Sequence, residues 1–233
     1  MTIFSIIIPL YNCENLIDRA LKSCQNQDFE KYEVLIIDDK SEDKSAKIAL
    51  EFAKKDQRFK LFQNVSHLGT FASRNEGIIR ANSPFLMFLD ADDFLCEGAL
   101  KRAFESLSLK ADLVLFDAFV HRVKTKFFYR FKQDEILTQS EFFQFLGKQR
   151  HFCWSLWAKI FRKDLALKCF EFVDKKACLC YGEDVLFCYI YFMFCESIAI
   201  FKHSIYRYEF NAFGRYESKD EMILRQNYED KKK

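Results

Sequence analysis

The sequence predicts an α/β fold: a Rossmann-like, mostly parallel central sheet with helices on both faces, followed by a less regular C-terminal region. Three observations predict it. Strand-length apolar runs alternate with segments of helical period through the first half of the 233 residues. The run Phe85 to Leu89 is apolar throughout, as strands covered on both faces are. Carboxylates gather directly behind two of the runs, where the crevice beyond the strand ends of such sheets receives ligands.

Ile3 to Pro9 reads as a buried strand, and Asn12 to Gln27 places Leu16, Ile17, Ala20, Leu21 and Cys24 at helical spacing. Glu33 to Ile37 is a second strand, closed by Asp38, Asp39, Lys40 and Ser41. The helix Ser45 to Lys55 then sets Ile48, Ala49, Phe52 and Ala53 on one face. Lys60 to Gln63 is a short third strand, and a polar loop leads to a helix over Phe71 to Ala81. Phe85 to Leu89 is the fourth strand, with Asp90, Ala91, Asp92 and Asp93 behind it. Further on, Gly98 to Leu107 reads as a helix, Leu113 to Phe119 as a strand, and the aromatic stretch Lys124 to Lys132 as a hairpin or edge strand. Ser140 to Gly147 is a helix capped by Ser140 with Glu141 in its first turn. Gly182, Glu183 and Asp184 head an apolar helix. No repeat or low-complexity linker interrupts the chain, so residues 1–110 and 111–233 read as two halves of one domain, with a frayed charged end from Glu229 to Lys233.

Half of the residues are hydrophobic, enough for a sizeable core, and 36 basic against 34 acidic residues leave a net charge of +2. The basic residues are scattered rather than gathered into a stripe, which argues against a nucleic-acid partner. The nine cysteines are odd in number, form no C-x-x-C pair and follow no signal-peptide pattern, so buried thiols in a reduced cytoplasm are expected. His151, Cys153, Cys178 and Cys180 match no common zinc spacing. The most apolar run, Val185 to Cys195, falls well short of the roughly 20 residues of a bilayer crossing.

The Asp90, Asp92 and Asp93 cluster carries the strongest chemistry. Two like charges at ~4 Å repel by about 4 kcal/mol at an effective dielectric near 20, so three carboxylates at one strand end call for a cation. Oxygen donors favour Mg2+ or Mn2+, which fill their shells with water and substrate phosphates; alone, the tetrad is also consistent with a solvated acidic turn. Neither G-x-G-x-x-G nor a Walker sequence is present. Candidate ligand-holding residues line the strand ends instead: Pro9, Tyr11 and Asn12 after the first, Asp38 and Asp39 after the second. A tyrosine ring beside a carboxylate suits a nucleobase such as uracil, whose N3–H the carboxylate accepts. Between the third and fourth strands, Gly69 permits close approach or positive φ, and Arg74 is placed to neutralise a phosphate or to pair with the aspartates.

Five ordered segments, FSIIIPLYN, EVLIIDDKS, HLGTFASRNEGI, FLMFLDADDF and GEDVLF, resemble family-two glycosyltransferases with the A-type nucleotide-sugar fold. The resemblance covers residues 3 to 110 well. It extends through WSLWAKIFRKDL to about residue 190, where the chain is similar to bacterial enzymes that add galactose, glucose or N-acetylhexosamine to surface glycans. Two departures stand out: His67 where the family usually has asparagine, and Ser73 where it usually has alanine.

The resemblance implies metal-dependent, inverting transfer of a hexose or N-acetylhexosamine from a UDP-sugar to a glycan or lipid-linked glycan, such as lipooligosaccharide. It implies that Asp90 contacts ribose or sugar, that Asp92 and Asp90 hold Mn2+ or Mg2+ with Ala91 between them, and that Asp93 supports them. Inversion needs a base opposite the leaving group, and Asp184 is the candidate, with Glu183 next. Trp154, Trp157 and Lys159 fall where the family binds acceptor. A cytoplasmic location is expected; the Lys124 to Lys132 stretch reads as a solvated edge strand, with peripheral contact on the inner membrane as the alternative. Two other classes compete: a metal-dependent nucleotidyl or phosphoryl transferase, and a non-catalytic nucleotide-sugar-binding module.

Overall fold

Two apolar faces of one sheet organise the chain. The structure is a computed structural model that describes residues 1–121, 126–127, 134–149, 152–174, 179 and 182–209. Strands β1 (Phe4–Leu10), β2 (Tyr32–Asp38), β3 (Phe59–Gln63) and β4 (Phe85–Phe88) alternate with helices α1 (Ile17–Gln25), α2 (Ser45–Lys55) and α3 (Thr70–Arg80). After β4 come β5 (Phe94–Leu95), α4 (Ala99–Ser106), β6 (Leu113–His121), β7 (Lys126–Phe127), β8 (Glu135–Thr138) and α5 (Gln139–Lys148). The described chain ends with β9 (Lys159–Arg162), α6 (Lys163–Lys168), α7 (Glu183–Phe194) and β10 (Ser197–Glu209).

The strands form one sheet in the order β3-β2-β1-β4-β9-β6-β10-β5, with β7 on β6 and β8 on β10. The run β3-β2-β1-β4 is parallel, as helical crossovers require, with Ile6 opposite both Val34 and Met87. Beyond it β9 lies antiparallel between β4 and β6, and β6 and β10 are again parallel. The two halves of the sequence therefore share one sheet.

Alternate residues of β1 feed opposite cores. Phe4, Ile6, Ile8 and Leu10 pack with the apolar faces of α1 and α4, whereas Ile7 joins Ile78 of α3, Phe142 of α5 and Phe187, Tyr191 and Phe192 of α7. Helices thus cover both faces, and β1 and β2 are mostly apolar and almost wholly buried, their polar Ser5 and Glu33 hydrogen-bonding each other.

Several boundaries differ from expectation. The first helix starts at Ile17 rather than Asn12, because Asn12 takes a positive φ and its side chain accepts from the Glu42 N–H at 2.8 Å. The cap of α5 is Thr138, not Ser140: its hydroxyl accepts from the Glu141 N–H while Glu141 reaches back to the Thr138 N–H, a complete capping box. The cysteines among the described residues are free thiols, and burial pushes those of Cys13, Cys24 and Cys169 up to about 12. Of the Lys124 to Lys132 stretch only Lys126 and Phe127 are described, as a strand on β6. His151, Cys178, Cys180 and the Glu229 to Lys233 end lie outside the described residues. Among the described residues, no helix is long and apolar enough to cross a membrane.

Candidate active site

Three carboxylates from two separate elements meet around one arginine. Arg74 lies on α3, behind Gly69, whose φ of 89° leads the chain into the helix. Its guanidinium is buried, with Nη2 2.7 Å from Asp90 Oδ1 and Nη1 donating to Asp184 Oδ1, while Glu183 Oε1 stands 3.9 Å away. Asp90 follows β4, and Glu183 and Asp184 open α7 behind Gly182, whose φ of 75° turns the chain into the helix. Residues 16, 109 and 110 positions from Arg74 are thereby brought within reach of one side chain, and of its two sequence-level options the arginine takes the aspartates.

Electrostatics favour a cation beyond Arg74. Burial raises the Asp184 carboxyl above the usual range, against the pull of Arg74 and Lys159, and Asp184 also accepts from the Leu156 N–H. The N-cap of α7 is Gly182, and Glu183 and Asp184 lie in its first turn. Arg74 itself is held charged, its desolvation outweighed by Asp184, Asp90 and Glu183. Asp93 behaves differently from its neighbours. It is fully buried, accepts from the Tyr206 hydroxyl at 2.6 Å and the Glu209 N–H at 2.8 Å, and is pushed up to about 9 by burial, then by Asp90 and Asp92. Both of its oxygens are engaged by β10, which leaves Asp90 and Asp92 as metal-facing candidates. Among the described residues no three His, Cys, Asp or Glu side chains are grouped to enclose an ion. One or two carboxylates sharing a hard cation with diphosphate oxygens and water is the donor set Mg2+ ordinarily takes, and these residues fit it.

Asp92 is fixed from the other side. Its carbonyl accepts from Arg19 Nη2 at 2.7 Å, and the Arg19 guanidinium stacks 4.6 Å from the Phe94 ring. The Tyr206 hydroxyl also accepts from the Asp90 N–H at 3.2 Å. Neither Arg19 nor Tyr206 was anticipated from sequence; Tyr206 stands 116 residues from Asp90, and nothing in its local pattern marks it.

At the strand ends, Pro9 lies in β1 beside Ile37, and Tyr11 just beyond is 44% exposed. Asp38 is buried and accepts from Gln63 Nε2 at 2.8 Å and from the Ser41 N–H at 3.3 Å. Asp39, also buried, receives Asn64 Nδ2 and the Leu68 N–H on Oδ1 and the Gly69 N–H on Oδ2, while His67 Nδ1 lies 2.8 Å from Oδ2 and hydrogen-bonds to the Asp39 carbonyl at 3.3 Å. Three hydrogen bonds and the His67 contact thus crowd the carboxylate that the expected pyrimidine N–H would have to reach. Ala91 is buried between Asp90 and Asp92.

On the acceptor side the geometry corrects two sequence expectations. Trp157 is 3% exposed, stacked 4.9 Å from Tyr206 and 5.9 Å from Tyr208, so it packs the core instead of offering a face to a sugar. Lys159 is 1% exposed, and its ammonium donates to the carbonyls of Cys153 and Ser155; it braces the loop before β9 and does not reach outward to a phosphate. Trp154 is half-buried, stacked on Phe192 at 5.8 Å with Phe152 at its edge.

Comparison with known proteins identifies the family and the fold. The family model described as glycosyl transferase family 2 matches residues 5–167. Putative glycosyltransferase EpsH of Bacillus subtilis strain 168 is 30% identical over 92% of this chain and 64% of its own length. The GalNAc(5)-diNAcBac-PP-undecaprenol beta-1,3-glucosyltransferase of Campylobacter jejuni is 39% identical over 41% of this chain and 31% of its own. The chain thus spans between 31% and 64% of the length of these two relatives. Among solved structures, S. aureus TarS 1-349 aligns with a TM-score of 0.77 at 25% identity, over 90% of this chain and 60% of that one. The same fragment in complex with UDP-GlcNAc shares the fold, with a TM-score of 0.78 at 24% identity over 99% and 66% of the two chains.

Proposed function

Since the chain belongs to glycosyl transferase family 2, we propose that it moves a hexose or N-acetylhexosamine, with inversion, from a UDP-sugar to a hydroxyl of a bacterial surface glycan or its lipid-linked precursor. The observation that carries this reading is the double grip of Arg74 on Asp90 and Asp184, which sets a donor-side carboxylate and a base within one guanidinium's span. The name of the Campylobacter relative, with its PP-undecaprenol-linked glycan, supports the acceptor class.

The chemistry is a single displacement. Asp184 takes the proton of the acceptor hydroxyl, whose oxygen bonds to the anomeric carbon. The bond from that carbon to the diphosphate breaks on the opposite face, and the nucleoside diphosphate leaves with the electron pair. Burial gives Asp184 a proton affinity above that of an ordinary carboxylate, which suits a base, while Arg74 and the Leu156 N–H fix its orientation. Asp92, with Asp90, would hold Mn2+ or Mg2+, which when bound supplies countercharge for the departing diphosphate. Tyr11 offers the ring face for uracil at the mouth of β1. Trp154 is the remaining aromatic candidate on the acceptor side, and Glu183 the second-choice base.

The test is a screen of nucleotide sugars with purified protein and Mn2+, reading donor hydrolysis, followed by Asp184→Asn on the donor so identified. Loss of the proton acceptor at constant size lowers transfer by about 10²- to 10⁴-fold with donor affinity unchanged. Near-normal turnover in the variant would move the base to Glu183, and turnover of a nucleoside triphosphate without any sugar would favour a nucleotidyl transferase.

A further inference from the structure

We propose that His67 is a displaceable stand-in for the donor's base: in the free protein its imidazole holds the face of Tyr11 and the acceptor position on Asp39 that a pyrimidine takes on binding. The inference rests on the UDP-sugar reading and adds a residue at which the chain departs from the family's usual asparagine.

Asp39 carries the argument. Three donors hold its carboxylate, Asn64 Nδ2 at 2.7 Å and the Leu68 N–H at 2.9 Å on Oδ1 and the Gly69 N–H at 2.7 Å on Oδ2, and His67 covers the remaining approach, its Nδ1 2.8 Å from Oδ2 and hydrogen-bonded to the Asp39 carbonyl at 3.3 Å. A uracil N3–H can reach this buried carboxylate only by taking the place of one of them. Two are main-chain groups of the turn into α3. Asn64 is held twice more, by Ser73 Oγ at 3.0 Å and through its own N–H to the Asp38 carbonyl at 2.8 Å. His67 alone among the four is exposed, at 48%, and its link to Asp39 is a side chain free to rotate out.

The second contact points the same way. The His67 ring lies 4.1 Å from the Tyr11 ring at an interplanar angle of 32°, and Tyr11 is the exposed aromatic at the end of β1. With Asp39 Oδ2 at 2.8 Å and the Asp39 carbonyl at 3.3 Å both facing Nδ1, that nitrogen carries the proton. A flat ring with an N–H on Asp39 and a face on Tyr11 has the shape and the hydrogen-bonding edge of the nucleobase. Binding then exchanges one ring for another, so part of the donor's base recognition offsets the loss of the imidazole contacts.

Removing the imidazole therefore strengthens nucleotide binding. Calorimetry with UDP and with inorganic pyrophosphate, Mn2+ present, on the wild type, His67→Ala and His67→Phe reads this directly. His67→Ala is expected to bind UDP about three- to tenfold more tightly, the worth of one released hydrogen bond. His67→Phe, which keeps a ring on Tyr11 but frees Asp39, gains less, and pyrophosphate affinity is the same in all three. Melting temperatures confirm that these surface variants fold. UDP affinity unchanged or weakened in His67→Ala, with the wild type binding UDP, overturns the stand-in and leaves the donor reading intact. Failure of all three proteins to bind UDP overturns the donor reading, and the stand-in with it.

Discussion

The parallel run β3-β2-β1-β4, called the donor edge after its proposed role, and the mixed region of β9, α7 and β10, called the acceptor edge after its own, use the same kinds of side chain to different ends. On the donor edge every strand is parallel, so each strand's C-terminal end faces the same crevice, and Asp38, Asp39, Asp90 and Asp92 arrive there by position alone. On the acceptor edge β9 runs antiparallel between β4 and β6, and the residues just before it point into the sheet's own core. Trp157 and Lys159, which look outward-facing on sugar-binding chemistry alone, are among the most buried side chains of the protein. The difference teaches that a polar or aromatic residue signals a site only when the strand polarity that aims it is also known.

The largest test of this contrast is on the donor edge. Asp92→Ala is expected to abolish Mn2+-dependent UDP binding while the fold survives, since removing one of three clustered carboxylates relieves the neighbour that burial already holds protonated. Calorimetry of UDP with and without Mn2+ checks it; undiminished Mn2+-dependent binding would remove Asp92 from the metal's ligands. On the acceptor edge Trp157→Ala is expected to act on stability alone, by about 3–5 kcal/mol, because it leaves a cavity against Tyr206 and Tyr208. Chemical denaturation measures that loss. An acceptor KM that rises while the denaturation midpoint holds would instead make the indole part of the acceptor surface.

The same contrast explains what could be seen in the sequence. Helix α2 occupies the expected Ser45–Lys55 span, and the other donor-half helices and strands lie close to theirs, because apolar runs and the helical period are local signals. The strands β5, β8, β9 and β10 were not anticipated. All four are anchored by pairing with distant partners, such as Phe161 with both Leu86 and Leu113, and β10 passes through two register shifts against β6. The Arg74 pairing with Asp90 lay open as one of two options in the sequence, and packing decided it. Arg19 and Tyr206 carried no sequence signal, since an arginine on a helix and a tyrosine on a strand are ordinary until the loop they brace is in place. The occupancy of Asp39 was equally invisible, because two of its donors are main-chain groups whose direction only the turn into α3 sets.

Asp93 sharpens the comparison at the smallest scale, because it is a donor-edge carboxylate that the acceptor edge has captured. Its two oxygens meet Tyr206 and Glu209 of β10, and burial with Asp90 and Asp92 nearby raises it to about 9 from an ordinary value near 3.8. A group that binds its proton more tightly when folded adds its full stability below the unfolded value and loses it as pH rises toward the folded one. The stability that protonated Asp93 contributes to the join between the Asp90–Asp93 turn and β10 should therefore fall from about pH 4, where the unfolded chain ionises, to about pH 9, where the folded carboxyl does. Asp93→Asn keeps the shape of the protonated acid, accepts from the Glu209 N–H and offers an N–H to the Tyr206 hydroxyl without titrating. We expect the variant to equal the wild type near pH 4 and to exceed it by about 1–2 kcal/mol at pH 8, the scale of one strained buried hydrogen-bonding group. Denaturation midpoints across that range measure it. A constant difference, or a variant less stable at pH 8, would mean that Asp93 is ionised in the fold and that its charge, rather than its proton, holds β10 in place.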